Sequence, residues 1–375
     1  MKRSLPLILL VLFASCNRAP APPATAPATQ AAAKLPPLGA LQCKLAVLAP
    51  LVPKRITHLT VDPSSNVYFV QESDDGSDTM FIIGSEDVSI ATPLSAPGLL
   101  AAMNEKGSGN IQSIAAGTDG NIYFFFTGGT KKKTIACLGR FETRTGLIRI
   151  LAREQELATA SDFGPSLALA RGTVVAAGKT LWLWLHHSDN SAMFQLKPGE
   201  FPHEGEIHLP KPTVLRSEDG TLTMSRADFM KLSPGAGDSM LLLDEWTAAL
   251  WKIDVTGSTD VVTALVGFPK QLSAPGANRV GDIMLFAAAS ELIEPRVDQR
   301  VAPVDVDTHY PSLLVLRNGV FTPIARDDIL ADPSFPVYTM QLEQTLYEPG
   351  RDTWIGYDSS SGQIVRMRLE PRRTR

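Results

Sequence analysis

The sequence predicts an all-β fold, and three observations predict it. Apolar runs of five to eight residues recur between about residues 42 and 370, separated by clusters of Gly, Pro, Asp, Asn and Ser. Long stretches at helical spacing are almost absent; the better helical candidates are short, at 98–104 and 153–160. The chain holds 28 Gly and 28 Pro in 375 residues, more than an average composition and in keeping with many turns.

Self-similarity narrows the class. Residues 57–72 and 112–127 follow one pattern: a strand, a polar turn with Asn66 or Asn121, then a strand opening Val67-Tyr68-Phe69 or Ile122-Tyr123-Phe124. Looser copies of that second strand lie at 180–186, 239–245, 282–288 and 352–358. A further strand follows each, at 80–84, 135–141, 192–197, 250–255, 313–317 and 364–369. A fourth is expected at 147–151, 261–266 and 320–325. Six such units fit a six-bladed β-propeller of four-stranded blades, packed face to face around an axis. The last unit lacks an outer strand, and residues 44–51 look like one. An N-terminal strand is therefore expected to complete the last blade, which removes an exposed sheet edge. A pair of β-sandwiches with chance similarity is the alternative.

The Asp-x-x-Gly-Asn-Ile-Tyr style of this repeat is sharpest at 61–70 and 117–125. It resembles the NHL-type propellers, the streptogramin-lyase group and the gluconolactonase group. The resemblance implies the fold over most of residues 57–370. Its motif residues are structural: Asn66 and Asn121 suit tight turns, and Tyr68 and Tyr123 suit packing between blades. They imply a propeller without implying an enzyme. Gluconolactonase-like enzymes draw acidic and Asn ligands from several blades, and no one-to-one set maps onto this chain. The streptogramin-lyase group uses His and Glu from a late-blade stretch, where this chain offers only His309.

The N-terminus gives an address. Residues 1–15 read as a lipoprotein signal peptide: Lys2 and Arg3 are basic, and 5–13 is an apolar run interrupted by Pro6. That run is far shorter than the roughly 20 residues of a membrane span. Phe13-Ala14-Ser15-Cys16 resembles the bacterial lipobox, which implies cleavage before Cys16 and acylation there, with palmitate-type chains. Asn17 in place of Asp leans towards the outer membrane. Residues 16–41 are rich in Ala, Pro and Thr, cannot bury a core, and read as a tether. The propeller is expected over 42–370, followed by a basic tail, 371–375. The expected location is the bacterial cell envelope, lipid-anchored, facing periplasm or exterior. A formal charge of −4 and the lack of a basic stripe exclude nucleic acid as a partner. Cys43 and Cys137 sit in apolar β-like segments, so a disulfide and two buried thiols both stand open.

Candidate chemistry follows from the fold. Propellers bind at one end of the central channel, on loops joining second to third strands and loops entering each blade. Residues after the second strands include Glu72, Asp74, Asp75 and Asp78 in blade one. Blade two gives Lys131, Lys132 and Lys133; blade three gives His186 and His187; blade four gives Asp244 and Glu245. Blade five carries an insertion at 290–311 with His309 and Tyr310, and blade six gives Tyr357 and Asp358. Convergence of Glu72, His187, Glu245 and Asp358 would suit a metal-dependent lactonase or a His/Glu lyase, and an oxygen-rich set favours calcium or a similar divalent cation. Solvated loop residues are the plain alternative. The three lysines fit an acidic partner or a charged hairpin tip, and the insertion with His309 and Tyr310 fits a lid or partner-binding arm. Trp182 and Trp184 share one strand face and fit core packing. There is no Gly-x-Ser-x-Gly elbow and no His-Glu-x-x-His. The expected role is that of a monomeric binding or scaffolding module whose partner is an envelope protein or a saccharide, with no cofactor expected. The enzyme is the alternative.

Overall fold

The computed structural model describes residues 41–48, 55–72, 77–84, 89–130, 133–163, 170–187, 190–202, 205–217, 220–221, 230–245, 249–265, 272–287, 312–324, 326–333 and 335–372. They form a six-bladed β-propeller. The first strand, β1 (Leu41–Val47), belongs to the last blade. Blade one is β2 (Ile56–Val61), β3 (Val67–Glu72), β4 (Asp78–Ile83) and β5 (Ser89–Ser95). Blade two is β6 (Ser108–Ala116), β7 (Ile122–Thr130), β8 (Lys133–Glu142) and β9 (Leu147–Arg153). Blade three is β10 (Arg171–Ala177), β11 (Thr180–His187) and β12 (Asn190–Leu196). A small hairpin, β13 (Arg216–Ser217) with β14 (Gly220–Thr221), precedes blade four: β15 (Met230–Pro234), β16 (Met240–Asp244), β17 (Ala249–Ile253) and β18 (Thr259–Ala264). Blade five is β19 (Gly276–Ala277), β20 (Ile283–Ala287), β21 (Ser312–Arg317) and β22 (Val320–Ile324). After β23 (Ile329–Leu330), blade six is β24 (Leu342–Glu348), β25 (Thr353–Asp358), β26 (Gln363–Pro371) and β1.

Among the described residues blade three has three strands, where a fourth was expected. Its outer edge is met instead by an irregular segment, in which the Thr213 N–H donates to the Met193 carbonyl at 2.6 Å. The same segment reaches blade two, where the Ile207 N–H donates to the Leu151 carbonyl at 2.7 Å. The two helices start one or two residues from their expected places, at α1 (Ala96–Ala102) and α2 (Glu154–Ser161). Ser95 caps α1 by accepting the Gly98 N–H, and α1 carries Leu99 and Leu100 into the core. Among the described residues no helix is long and apolar enough to cross a membrane.

The second strand of every blade packs on both faces, which is why these six read as continuous apolar runs. The core is correspondingly divided among the blade junctions. Tyr68, Val70, Phe124 and Phe126 meet between blades one and two; Phe125, Leu183 and Phe194 between two and three. Trp182 and Trp184 join Leu242 between three and four, in the core as expected. Leu243 and Leu285 meet between four and five, Phe286 and Trp354 between five and six, and Phe69 and Ile355 between six and one. Cys43 and Cys137 are free, and they occupy different junctions, so two buried thiols replace the open disulfide reading. Burial pushes both thiols up to about 12.

Polar side chains join the blades where the inner strands approach the axis. Ser113 of β6 donates to the Val174 carbonyl of β10 at 3.3 Å and accepts the Val174 N–H at 2.9 Å. Thr60 of β2 accepts the Ala116 N–H at 2.9 Å, and Asp78 accepts the Ile111 N–H at 2.7 Å. Asp238 accepts the Lys179 N–H at 2.8 Å between blades three and four, and the Lys231 ammonium donates to the Leu272 carbonyl between four and five. Thr345 donates through its hydroxyl to the Ala274 carbonyl at 3.0 Å, and the Tyr357 hydroxyl accepts the Ile56 N–H at 3.3 Å. Each junction thus carries a side-chain-to-backbone bond between neighbouring blades.

The repeat motif is a turn device. Asp62 accepts the Asn66 N–H and the Asn66 side-chain amide, both at 2.8 Å, and the Tyr68 hydroxyl at 3.3 Å. In blade two Asp119 does the same for Asn121 and for the Tyr123 hydroxyl, the last at 2.7 Å. The tyrosines therefore lock the turn as well as pack between blades.

The ring closes as the sequence predicts, three residues earlier than expected. β1 pairs antiparallel with β26 along its whole length, from Leu41 opposite Pro371 to Val47 opposite Val365. The other edge of β1 is partly covered by β23, which pairs in parallel through Cys43–Ile329 and Lys44–Leu330.

Candidate functional site

The inner strands of all six blades line a central channel, with a cavity of about 480 Å³. Where these strands begin, the channel widens into a mouth cavity of about 1020 Å³. Thr57, His58, Leu59, Glu343 and Gln344 line both cavities. The mouth is made by the starts of β2, β6, β10 and β24 and by loops between second and third strands of blades one and six. This is the face on which the sequence places the chemistry.

Blade one supplies most of the charge. Arg55 stands exposed just before β2, and the His58 imidazole bonds the backbone of Ile111 in blade two. Desolvation, with Arg55 nearby, pushes His58 down to about 4, so it is neutral at pH 7. Glu72 ends β3 and faces Asp78, which begins β4, across a register pair. Asp78 is only 3% exposed, and burial, reinforced by the Glu72 charge, pushes its carboxyl up to about 6 despite the Ile111 N–H. Glu343 from β24 accepts the Ser359 hydroxyl at 2.9 Å, and Arg171 from β10 lines the mouth beside Asn110 and Gln112. Burial raises the Tyr357 phenol.

The four residues whose convergence the alternative enzyme reading requires lie in distinct places. Glu72 lines the mouth cavity. Asp358 is fully buried under the rim, where it accepts the Gln341 N–H at 2.7 Å and the Ser360 hydroxyl at 2.9 Å, with Ser361 also bonded to it. It holds the serine turn that lines the mouth. Glu245 lies 3.5 Å from Lys231, a channel residue, and burial raises its carboxyl. His187 ends β11, and neither it nor Glu245 is among the lining residues of the mouth. Lys133 forms an ion pair with Glu105 on the surface. Lys131, Lys132, His309, Tyr310 and Cys16 lie outside the described residues, as do the insertion at 290–311 and the tether. Among the described residues no group of three or more His, Cys, Asp and Glu is placed to hold a metal ion.

The reading of loops after second strands passed over Arg55, His58, Arg171 and Glu343. These come from the starts of inner strands, the other half of the predicted face. Their signal was a charged residue opening an apolar strand, at Arg55-Ile56 and at Arg171-Gly172-Thr173-Val174.

No protein-family model and no curated protein matches the chain. Solved structures do. A structural genomics protein of unknown function from Bacteroides thetaiotaomicron VPI-5482 matches at TM-score 0.50 and 12% identity, covering 88% of this chain and 76% of that one. A calcium-binding protein, regucalcin, from Agrobacterium tumefaciens str. C58 matches at TM-score 0.50 and 10% identity, covering 88% and 96%. A streptogramin B lyase matches at TM-score 0.46 and 10% identity, covering 88% and 98%. At such identities a match speaks of fold alone. The likeness to the two structures at TM-score 0.50 shows the fold, and that fold is a six-bladed β-propeller.

Proposed function

We propose that this chain is a lipid-anchored protein of the bacterial cell envelope whose propeller binds a saccharide at the channel mouth. The observation that carries the binding role is the mouth cavity itself. Its volume, about 1020 Å³, is at the upper end of ordinary ligand pockets. Its wall combines the amides Asn110, Gln112 and Gln344 with the hydroxyls Ser359 and Tyr357 and with charges of both signs. Neutral donors and acceptors at many angles suit a ligand with many hydroxyls. The inter-blade bonds beneath the wall hold these groups in place, so little ordering is lost on binding.

The lactonase or lyase reading has less support. It needs Glu72, His187, Glu245 and Asp358 together, whereas only Glu72 lines the cavity and the Asp358 oxygens hold a turn. The anchor rests on Lys2, Arg3, the short apolar run and Cys16. A lipid there attaches the chain without spanning the membrane.

Two experiments test the proposal. The full chain in detergent is screened against a panel of oligosaccharides by thermal melting, since a ligand of the folded state raises the melting temperature. The expected result is a rise with one saccharide class that Gln344→Ala and Arg55→Ala reduce; no rise with any saccharide overturns the binding role. Cells fed a palmitate analogue should label the protein, and Cys16→Ser should abolish the label. A labelled Cys16→Ser protein overturns the anchor.

A further inference from the structure

We propose that three β-bulges, one on the inner strand of each of blades six, one and two, are the ligand-reading part of the mouth. Their extra residues, Glu343, Thr57 and Gln112, select a sugar ring by its free hydroxyls. This rests on the saccharide-binding reading above and names the groups that set its specificity. The strand register carries the first step. In β2, Ile56 pairs with Gln71 and His58 with Val70, so Thr57 is one residue more than the ladder needs. The same shift leaves Gln112 over in β6 and Glu343 over in β24. All three line the mouth cavity. The inner strands of blades three and four, β10 and β15, pair without a shift, and between them they supply only Arg171 to that wall among the described residues.

Packing carries the second step. On a regular strand, residues two apart share a face and residues three apart do not. Yet Ile56 and Leu59 both pack towards blade six, and Ile111 and Ile114 both towards blade one. Leu342 and Thr345 likewise both reach blade five. Each bulge therefore fits two residues between two packing positions where a regular strand fits one. A bulge interrupts the ladder and re-aims a side chain, and bulges recur beside functional sites. The Thr57 hydroxyl is the third observation: it is buried in the wall with no hydrogen-bond partner among the described residues. A ligand that draws it to another staggered χ1 position supplies one. Gln112 and Glu343 are steadied instead, by the Thr127 hydroxyl at 2.8 Å and the Ser359 hydroxyl at 2.9 Å. The Glu343 carboxylate only accepts, so the ligand must donate there, while the amide and the hydroxyl both give and take. A ring with free hydroxyls meets all three groups; a ring with methylated hydroxyls cannot donate to any of them.

The test is calorimetry on the full chain in detergent. The probes are cellotetraose, maltotetraose and xylotetraose, each also in its fully methylated form. One free tetramer is expected to bind and its methylated form to fail. Thr57→Val, which keeps the shape and removes the hydroxyl, and Glu343→Gln are each expected to weaken that binding about five-fold or more. Neither should move the melting temperature. A chain lacking Thr57, in which the β2 ladder becomes regular, is expected to fold and to lose the binding. Affinity untouched by Thr57→Val and Glu343→Gln, or shared by the methylated tetramer, overturns the bulge assignment and leaves the saccharide reading standing. A clear fall in melting temperature with Thr57→Val gives the hydroxyl a structural role and overturns the assignment too. If no free tetramer binds, the assignment falls, and the saccharide reading falls only if the wider panel also fails.

Discussion

The Ser113 hydroxyl bonds both backbone groups of Val174, taking its N–H at 2.9 Å and giving its own proton to the carbonyl at 3.3 Å. One side chain of blade two thus completes an inner strand of blade three that has no ladder partner on its channel side. Ser113 is 5% exposed, so water does not replace the hydroxyl easily. Ser113→Ala is expected to destabilise the protein by about 1–3 kcal/mol, the cost of leaving buried peptide groups unpaired. Urea unfolding measures it; a change below about 0.5 kcal/mol, the size of an ordinary surface substitution, refutes the role.

Asp78 and His58 oppose each other in their effect of pH on stability. Asp78 titrates at about 6 when folded, above its ordinary 3.8, so between these values the folded state holds a proton that the unfolded state lacks. Its contribution to stability is therefore lost as pH rises through that window. His58 titrates at about 4, below its ordinary 6.5, so the unfolded state holds the extra proton and stability rises with pH. Relative to the wild type, Asp78→Asn should make melting temperature climb more steeply between pH 4 and 6, and His58→Asn should make it climb less. Parallel curves for all three proteins contradict both assignments.

Glu348 is wholly buried at the end of β24 and is held by a fork from Arg366, with Nε at 2.8 Å and Nη2 at 3.1 Å. Arg351 lies 3.6 Å away and Thr353 also bonds the carboxylate. Removing the fork leaves a buried charge poorly matched. Arg366→Met should cost about 3 kcal/mol or more, and the double variant with Glu348→Gln should recover part of it. No recovery in the double variant means that the arginine acts through packing alone.

The strand β1 should be indispensable to the ring. Without it β26 and β23 lose a shared partner, and the outer edge of blade six is exposed. A chain beginning at residue 49 is expected to melt well below the full chain and to self-associate, read by light scattering. A monomeric product with an unchanged melting temperature contradicts the closure.

The second strands could be read from residues because burial on both faces leaves no polar alternation, as in Leu-Trp-Leu-Trp-Leu at 181–185. The turns at Asn66 and Asn121 were readable for a different reason: each needs an Asn two residues before a Tyr, with an Asp acceptor shortly upstream of both. The mouth was harder. A polar residue on an inner strand looks the same in sequence whether it faces the channel, as Gln344 does, or binds the next blade, as Thr345 does. Asp358 shows the converse. It was read as a mouth carboxylate, but Asp358-Ser359-Ser360-Ser361-Gly362 is also a turn sequence, and the buried Asp is used to build that turn. The irregular outer edge of blade three had no strand signal because Pro210 and Pro212 interrupt the apolar alternation of the segment at 205–215.

The pairing of β1 with β26 also sets an order of events during synthesis. β1 leaves the ribosome before any blade and must wait for the end of the chain, first for β23 and then for β26, the final strand of the ring, before it is fully paired. Closure is therefore the contact of longest sequence separation, and the slowest to form by chain diffusion alone. A chain cut short before β26 leaves the seven-residue antiparallel edge of β1 unpaired. Incomplete copies thus carry an exposed strand edge, the feature by which chains associate with one another, until the last strand is made.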